Sequence, residues 1–280
     1  MRHLLLDGYN LMHRARFGMR NGEHYIIFNF FRSLRPLVEQ FAPCKITLFL
    51  EGMPQHRLAL DSEYKANRVA EPGSKQHAEL AEFRKQKRVI LQLLPHLPVS
   101  IAKHEHLECD DAIGSWTRAY RDEDECVVVS TDTDFIQLLD HPNVKLYNPV
   151  RKAFVDPAPY DYVLWKALRG DKTDNIPGVP GITDGKATKI CNDLTLLAAV
   201  KNDPTLSLCL ERNLALVAFK YTPLDDPGYS NVAPAVNYEA LKQAFVDLEF
   251  FSMVNTTSWP KYCKTFESVY NQQSEINFRV

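Results

Sequence analysis

The sequence lacks any segment long and apolar enough to cross a bilayer. Its apolar runs, among them residues 46–50 and 127–129, are no longer than a strand, whereas a membrane-spanning helix needs about 20 apolar residues. The first acid is Asp7, which comes too early for the apolar region of a signal peptide. We therefore expect no membrane partner and a cytoplasmic location.

The sequence also has few cysteines and no marked net charge. Its six cysteines are scattered without a C-x-x-C pair, which argues against a zinc site and against a disulfide framework. The net charge is −2, and this balance alone would argue against a polyanionic partner. The balance changes if some of the acids bind metal, because two divalent ions would bring the net charge to about +2.

Repeats and low-complexity segments are absent as well. The chain has 280 residues, of which 45% are hydrophobic and 24% charged. These values are ordinary for a globular protein, and they indicate one large domain or two modest ones.

Acidic side chains are concentrated between residues 108 and 134. Three of them open a segment with apolar residues at helical spacing, and two more follow the short β-branched run 126–129. Such a run predicts a buried parallel strand, and open α/β sheets bind ligands beyond the carboxyl ends of their strands. Carboxylates at one edge repel one another without cations, and all-oxygen ligand sets suit Mg²⁺ or Mn²⁺. We therefore expect a metal site that includes Glu108, Asp110, Asp111, Asp132 and Asp134.

Two further acids end predicted strands. Residues 4–6 and 46–50 are typical of buried strands, and a helical pattern over 25–41 connects them, which predicts a βαβ unit. Asp7 and Glu51 directly follow the two strands, each with a glycine after it. An Asp-Gly pair after a strand is often only a turn. Here the placement brings both carboxylates to the same edge as the other acids.

A basic segment lies between residues 64 and 88, where seven Lys or Arg stand against three Glu. Such a run is usually a solvated helix face, and residues 74–94 have the pattern of a charged helix. Tyr64, Lys65 and Arg68 stand together before it. An aromatic beside two cations can stack a base and hold phosphates, so these three side chains are candidate substrate contacts.

The His-x-His pair at His104 and His106 is a second, weaker metal candidate. Two histidines at this spacing can bind a metal, but hard oxygen ligands surround them in the sequence. We therefore expect the carboxylates, and not this pair, to form the metal site.

A glycine-rich segment follows a predicted helix at residues 160–168. Asp171 and Asp174 would share a helical face if their segment is helical. The run Gly-Val-Pro-Gly at 178–181 is expected to form a tight hairpin between helices, because glycine lets backbones approach closely. Two helix N-termini with free amides would bind phosphates without reading bases. The candidate phosphate contacts are Gly178, Val179, Gly181, Lys186 and Lys189.

Together these motifs resemble those of the 5′-nuclease (flap endonuclease) family, which includes stand-alone bacteriophage 5′–3′ exonucleases and the N-terminal 5′-nuclease domain of bacterial DNA polymerase I. The resemblance covers residue 7 to about residue 251, and its five motifs occur in the family's order. They are Asp-Gly-Tyr-Asn at 7–10, Glu-Tyr-Lys-Ala-Asn-Arg at 63–68, Glu-Cys-Asp-Asp at 108–111, Ser-Thr-Asp-Thr-Asp-Phe at 130–135, and Gly-Asp-Lys-Thr-Asp-Asn-Ile-Pro-Gly-Val-Pro-Gly at 170–181.

The resemblance implies an α/β fold of the PIN-like 5′-nuclease kind, with a mostly parallel central sheet flanked by helices. It implies a catalytic domain at 1–157 with a helical arch at about 64–94, and a helical DNA-binding region at 158–280 with a helix-hairpin-helix motif at about 171–190. It also implies two Mg²⁺ ions, for which Mn²⁺ would substitute, and a K⁺ ion at the helix-hairpin-helix motif. The implied Mg²⁺ ligands are Asp7, Glu51, Glu108, Asp110, Asp111, Asp132, Asp134, Asp171 and Asp174.

The implied activity is that of a structure-specific 5′ nuclease, acting as a 5′–3′ exonuclease and flap endonuclease in DNA replication and repair. Phosphodiester hydrolysis needs a hydroxide, neutralised phosphate charge and help for the departing oxygen, and two metal ions about 4 Å apart can supply all three. Lys65 and Arg68 would add positive charge from the opposite side, and Tyr64 would stack the terminal base. Expected partners are branched or 5′-ended DNA, RNA–DNA hybrids and a separate DNA polymerase. We expect a monomer in a bacterial or bacteriophage-infected cell.

Three positions depart from the family's pattern. Glu51 stands where the family usually has Asp, so it could bind metal through a bridging water. Thr183 stands where Gly is typical, which requires a backbone without a positive φ, and the lysine that commonly follows is displaced by one, to Lys186. Residues 194–251 are expected to be helical.

Two other functions stay open at this point. A PIN-like ribonuclease also gathers acids at strand ends, but it would lack the hairpin at 178–181 and the segment 64–68. A nuclease fold that binds branched DNA without cutting would have lost several carboxylates, and the only change here is the glutamate at position 51. Removal of RNA primers from hybrids is a further variant of the nuclease hypothesis.

Overall fold

The computed structural model describes residues 1–20, 22–68 and 71–277, with side chains described as far as Tyr270. Within these residues seven strands form one central sheet, and two short strands form a separate ribbon. The strands are β1 (Arg2–Asp7), β2 (Lys45–Leu50), β3 (Ser100–His104), β4 (Glu125–Val129), β5 (Val144–Asn148), β6 (Ala153–Val155), β7 (Gly170–Asp171), β8 (Ile176–Pro177) and β9 (Tyr229–Val232).

The central sheet is mostly parallel, in the order β6-β5-β4-β1-β2-β3-β9. The four inner pairings are parallel, and only the edge strands β6 and β9 pair antiparallel. Side chains of β1 alternate between two cores: Leu4 and Leu6 pack on one face and Leu5 on the other. A strand that is buried on both faces must be apolar throughout, which explains why the parallel strands could be found from apolar runs.

The described part of the chain holds twelve α-helices, and none of them is long and apolar enough to cross a membrane. The helices are α1 (Gly8–Ala15), α2 (Tyr25–Phe41), α3 (Gln55–Leu60), α4 (Lys75–Leu93), α5 (Cys109–Tyr120), α6 (Tyr162–Arg169), α7 (Asp184–Cys191), α8 (Leu194–Asn202), α9 (Pro204–Val217), α10 (Tyr238–Asp247), α11 (Phe251–Val254) and α12 (Ser258–Asn277).

Two hydrophobic cores cover the two faces of the sheet. The larger core joins β1 and β2 to α2, α4 and the C-terminal helices, with Phe30, Phe31, Phe245 and Phe266 fully buried. The smaller core packs α5 on the opposite face. The predicted α/β fold with a mostly parallel sheet flanked by helices is therefore confirmed.

A third core lies in α6 to α9 and belongs to neither face of the sheet. The chain then returns to the sheet, because β9 pairs with β3 and α10 to α12 pack on α2. The expectation of helices throughout residues 194–251 is therefore wrong at β9. The division between residues 157 and 158 stays a prediction, and the packing places only about residues 162–217 away from the sheet.

The charged helix predicted at 74–94 is present as α4. The Ser74 hydroxyl accepts a hydrogen bond from the His77 N–H at 3.1 Å and so caps its first turn. Phe83 and Ile90 are buried on one side of the helix. The arch predicted at about 64–94 stays a prediction, and its residues 69 and 70 lie outside the described residues.

Candidate active site

A polar cleft of about 260 Å³ lies at the carboxyl edge of the central sheet. Seven of the nine predicted metal ligands line it, together with four basic side chains, of which Arg169 pairs with Asp184 outside this set. The acids are Asp7, Glu51, Asp110, Asp132, Asp134, Asp171 and Asp174, and the bases that contact them are Lys65, Arg68 and Lys166. Glu108 and Asp111 do not line the cleft.

Sheet order explains how the first acids meet. Asp7 ends β1, which lies between β2 and β4, so the residues that follow those strands, Glu51 and Asp132, flank it. Asp7 also caps α1, because its carboxylate accepts the Asn10 N–H at 3.0 Å. A second hydrogen bond, from the Ser130 hydroxyl at 2.7 Å, ties Asp7 to the end of β4.

The loop after β4 is fixed by its own hydrogen bonds. The Ser130 hydroxyl accepts the Asp132 N–H at 3.0 Å, and the Asp132 carboxylate accepts the Asp134 N–H at 2.9 Å. The Asn10 amide donates to the Thr131 hydroxyl at 2.8 Å and accepts the Thr131 N–H at 3.2 Å. The start of α1 therefore holds this loop in register with Asp7.

Asp134, Asp171 and Asp174 form a compact group, in which one carboxylate oxygen of each residue lies within 4.8 Å of one oxygen of each of the others. The expectation that Asp171 and Asp174 share an α-helical face is wrong. Asp171 ends β7, and a single 3₁₀ turn over residues 172–174 carries Asp174 back beside it. This short turn still brings both carboxylates to the cleft. Lys166 of α6 contacts Asp134 and lies 2.7 Å from an Asp171 oxygen.

The electrostatics of the cleft show that its acids are crowded. Burial, together with nearby carboxylates, raises the pKa of Asp7 and of Asp134 to about 6 and that of Glu51 to about 7. Burial, together with the charges of Asp132 and Glu51, also raises the pKa of Asp110 well above its ordinary value. The ionised forms are therefore destabilised unless cations lie among them. A set of hard oxygen donors fits divalent ions such as Mg²⁺ or Mn²⁺.

Asp111 has a structural role instead of the predicted metal-binding one. Its carboxylate is fully buried and accepts two hydrogen bonds from Arg57, at 2.6 and 2.8 Å. Arg57 uses its other donors on Glu108 at 2.9 Å and on the carbonyls of Leu216 and Ala218 at 2.8 and 3.1 Å. All five guanidinium N–H groups are thus satisfied, and the pair joins α3, α5 and the end of α9.

Tyr64 cannot stack a base in this structure, because only 5% of it is exposed. Its hydroxyl donates to Glu108 at 2.8 Å and approaches Asp174 at 3.3 Å. The Lys65 ammonium also contacts Glu108, which therefore receives hydrogen bonds from Arg57, Tyr64 and Lys65. This arrangement corrects the assignment of Tyr64 as a stacking residue and leaves Glu108 behind the cleft.

Lys65 and Arg68 border the cleft as predicted. The Lys65 ammonium lies 3.6 Å from an Asp174 oxygen, and the Arg68 guanidinium contacts the same carboxylate. Lys65 has a left-handed backbone, with φ of 57°, and its N–H donates to the Asp174 carbonyl at 2.9 Å. The basic turn and the turn that carries Asp174 are therefore held together by both main chain and side chains.

The predicted hairpin at 178–181 lies between α6 and α7. A Cβ atom on Gly178 would lie 2.4 Å from the Arg169 carbonyl oxygen, so this close approach requires glycine. Val179 is 2% exposed and packs in the third core, and its N–H donates to the Leu168 carbonyl at 2.9 Å, so it offers no free amide for the predicted phosphate contact. Gly181 is exposed with φ of 72°, and Thr183 has φ of −91°. The requirement that Thr183 avoid a positive φ is met.

Among the described residues, the hairpin leads into one helix N-terminus, that of α7, whereas two helix N-termini were expected. The chain passes from the end of α6 through the hairpin into the start of α7. Lys186 and Lys189 are exposed on α7, and the Lys186 ammonium donates to the Gly181 carbonyl at 3.2 Å.

The weaker metal candidate, the pair His104 and His106, is not supported. One ring nitrogen of His104 bonds to Asp226, and the other accepts the His106 N–H.

Sequence reasoning missed Lys166 and Arg57. Lys166 stands next to the buried residues Ala167 and Leu168 in α6, and a lysine among buried positions signals a buried partner. No comparable signal marks Arg57, whose partners are 51 to 161 positions away in the chain.

The fold and the site together define a nuclease-like α/β protein with an acidic cleft at the edge of a parallel sheet. A family model for the 5′–3′ exonuclease, N-terminal resolvase-like domain, matches residues 2–162, and the chain belongs to this family.

Curated relatives agree with this membership. The chain is 30% identical over 221 residues to DNA polymerase I of Chloroflexus aurantiacus, with 70% of this chain and 23% of the polymerase covered. It is 28% identical over 212 residues to a 5′–3′ exonuclease of Mycoplasmopsis pulmonis, with 70% of this chain and 68% of that protein covered. The chain thus spans about a quarter of the length of the polymerase.

A solved structure shows the same fold over nearly the whole chain. It is a complex of the bacteriophage T5 D15 flap endonuclease with DNA and metal ions. The TM-score is 0.67 at 19% identity, and the match covers 98% of this chain and all of the T5 protein.

Proposed function

We propose that the protein is a structure-specific 5′ nuclease that hydrolyses DNA phosphodiester bonds as a 5′–3′ exonuclease and flap endonuclease. The observation that carries this proposal is the convergence of seven carboxylates and four basic side chains in one cleft. Membership in the 5′–3′ exonuclease family and the shared fold of a flap endonuclease that binds DNA and metal ions support it. Branched DNA is the substrate class that these comparisons favour.

Two Mg²⁺ ions would occupy the cleft, and Mn²⁺ would substitute for them. One group of ligands is Asp7, Glu51, Asp110 and Asp132, and the other is the compact group Asp134, Asp171 and Asp174. Bound ions of this kind lower the pKa of a water molecule, neutralise phosphate charge and stabilise the leaving oxygen. Glu51 has one methylene more than aspartate, and its carboxylate accepts the Cys109 N–H at 3.0 Å, which fixes it at the rim of the first group.

The basic side chains would position the substrate. Arg68 is about half exposed, with its guanidinium at the cleft, and a preorganised cation there can hold a phosphate without reorganisation. Lys65 and Lys166 are more buried and already contact the acids. They would offset the repulsion among Asp134, Asp171 and Asp174 and hold these carboxylates in the cleft.

The hairpin at 178–181 and the start of α7 would hold a duplex arm. Exposed amides and the ammonium groups of Lys186 and Lys189 suit phosphates and do not read bases. The Gly181 carbonyl would be one ligand of a K⁺ ion in this hairpin.

We further propose that the protein acts as a monomer, accepts RNA–DNA hybrids and works with a separate DNA polymerase.

The test compares three 5′-labelled substrates, a flap, a nicked duplex and an RNA–DNA hybrid, with Mg²⁺ and with Mn²⁺. We expect the wild-type protein to cut the flap near its junction, and Asp132→Ala to abolish cutting while it still binds the flap in chelator. Asp140→Ala is the control, because this acid does not line the cleft and is largely exposed beside Arg121 at the end of α5. An Asp132→Ala protein that cuts at the wild-type rate would falsify the site assignment.

A protein that binds the flap but cuts none of the three substrates with either ion would favour the non-cleaving alternative. Cleavage of RNA without cleavage of DNA would favour the ribonuclease alternative. Both outcomes would overturn the proposed activity.

A further inference from the structure

A second cavity, of about 660 Å³, lies between α1, α2 and the turn that joins β5 to β6. It shares no lining residue with the carboxylate cleft. An inference about this groove therefore does not rest on the proposed nuclease activity, and either one can fail without the other.

The groove is positively charged. Arg14, Arg32 and Lys152 line it, and no acid does. In the described part of the chain, no carboxylate lies within ion-pair distance of these three side chains. Acids outnumber bases in the whole chain, so three unpaired cations around one groove indicate an anionic ligand.

The groove also has an apolar floor whose exposed part is Met19 and Pro36, since Leu11 and Leu37 in its lining are only 5% and 6% exposed. The only aromatic ring in its lining, Tyr147, is 4% exposed and presents no face on which a base could stack. An aliphatic floor suits an aliphatic side chain and gives a single-stranded nucleic acid little to bind besides charge.

Hydrogen-bond acceptors in the groove favour a peptide ligand over a nucleic acid. The Asn29 amide donates to the carbonyls of Ala15 and Met19, at 3.0 and 2.9 Å, which leaves its oxygen to accept. Pro36 has no N–H to donate to the carbonyl of Arg32, one helical turn before it. A peptide backbone can donate N–H groups to such acceptors, whereas a phosphodiester backbone offers only acceptors.

We propose that this groove binds an acidic peptide segment of a partner protein. An aliphatic side chain of the peptide lies on the floor, its carboxylates pair with Arg14, Arg32 and Lys152, and its backbone donates to Asn29. This surface makes the protein part of an assembly without using the cleft.

The probe for the test is a fluorescein-labelled peptide of eight residues with alternating aspartate and leucine, followed by fluorescence anisotropy. One control peptide has asparagine for aspartate, and another has serine for leucine. Lys152 has a left-handed backbone, with φ of 51°, so Lys152→Gly removes the charge and fits the turn. Arg32→Ala removes a second cation, and Arg151→Ala is the matched control on the same turn outside the groove.

We expect the acidic peptide to bind more tightly than either control peptide. Arg32→Ala and Lys152→Gly should each weaken binding about threefold to fivefold, as expected for partly exposed ion pairs, and together by about tenfold or more. Arg151→Ala should bind like the wild type. Both groove variants should unfold at the wild-type temperature, which would show that they are folded whether or not the protein cuts DNA.

Three outcomes would overturn the inference. Equal binding of the acidic and the asparagine peptide, or unchanged binding by both variants, would show that the groove does not select carboxylates. Loss of single-stranded DNA binding in Arg32→Ala and Lys152→Gly, without loss of peptide binding, would make the groove a nucleic-acid track. Concentration-dependent self-association that Lys152→Gly abolishes would make a second copy of the chain the occupant.

Discussion

Replacing Asp111 by asparagine should weaken the fold and leave metal binding in place, whereas the same change at Asp110 should do the reverse. The two residues are neighbours at the start of α5, but their carboxylates face opposite ways. Asp110 lines the cleft among other acids, and Asp111 is buried against Arg57. The two variants therefore make the same chemical change, from a carboxylate to an amide, at two adjacent positions.

The expected magnitude follows from the hydrogen bonds of Asp111. Each of its oxygens accepts from Arg57 and from one backbone N–H, that of Glu108 or that of Lys220. If asparagine replaces Asp111, its NH₂ group takes the place of one carboxylate oxygen and points at the two N–H donors that this oxygen had accepted. The buried Arg57 guanidinium also loses one of its two carboxylate partners. Breaking a buried ion pair on one side costs about 3–5 kcal/mol. With an unfolding entropy of about 0.6 kcal/mol/K for a chain of this length, the unfolding temperature should fall by about 5–9 °C.

Asp110 should behave in the opposite way. Its pKa is raised in the folded protein by burial and by Asp132 and Glu51, so its ionised form destabilises the fold above the ordinary pKa of a carboxyl group. Asparagine removes this repulsion. The metal-free Asp110→Asn protein should therefore unfold at the wild-type temperature or above it.

The assay measures two quantities for each variant, the unfolding temperature in chelator and the affinity for Mn²⁺ by calorimetric titration. We expect Asp111→Asn to lose stability and keep its Mn²⁺ affinity, and Asp110→Asn to keep stability and lose Mn²⁺ affinity. The double variant Arg57→Gln/Asp111→Asn should lose less stability than the two single changes added together, because the residues form one unit. Loss of Mn²⁺ binding in Asp111→Asn without loss of stability would refute the structural role of this residue.

Two other predictions concern the substrate. Arg68→Ala should slow single-turnover cleavage of a flap about tenfold or more, because a preorganised cation is lost, while Arg84→Ala on the exposed face of α4 should not; equal rates for both variants would remove Arg68 from the site. Gly181→Val places a β-branched residue at a positive φ and should weaken binding of flap DNA with a duplex arm more than cutting of short single strands. Gly185→Ala, at an open position, is its control, and an equal loss for both substrates would show that the hairpin supports the active site instead.

The strands and the acids at their ends could be predicted because both depend on local sequence. A parallel strand that is buried on both faces is a short apolar run, and the residue after it is fixed at the sheet edge. Asp7, Glu51 and Asp132 therefore reach the cleft as the sequence indicates. The edge strands β6 and β9 were not predicted, because half-exposed edge strands such as Tyr229–Val232 have no continuous apolar run.

The positions of Tyr64, Val179 and Asp111 could not be predicted, because their surroundings come from distant parts of the chain. Tyr64 is buried beside Ile176, Leu216 and Val217, which the sequence places more than 100 positions away. An aromatic residue beside two cations has the same local pattern whether its ring faces solvent or a core. Periodicity and spacing cannot separate these cases, whereas tertiary packing does.

The Glu-Cys-Asp-Asp motif at the start of α5 serves two sides of the molecule at once. Glu108 is the N-cap residue and Asp111 lies three positions on, so they bond each other's backbone N–H groups in a capping box, and both carboxylates reach Arg57. Asp110 lies between them in the sequence but points to the cleft. Glu108 in turn holds Lys65 at the rim. The motif therefore contributes one carboxylate to the cleft, while the other two fix Arg57 and, through Glu108, Lys65 on the basic side of that cleft.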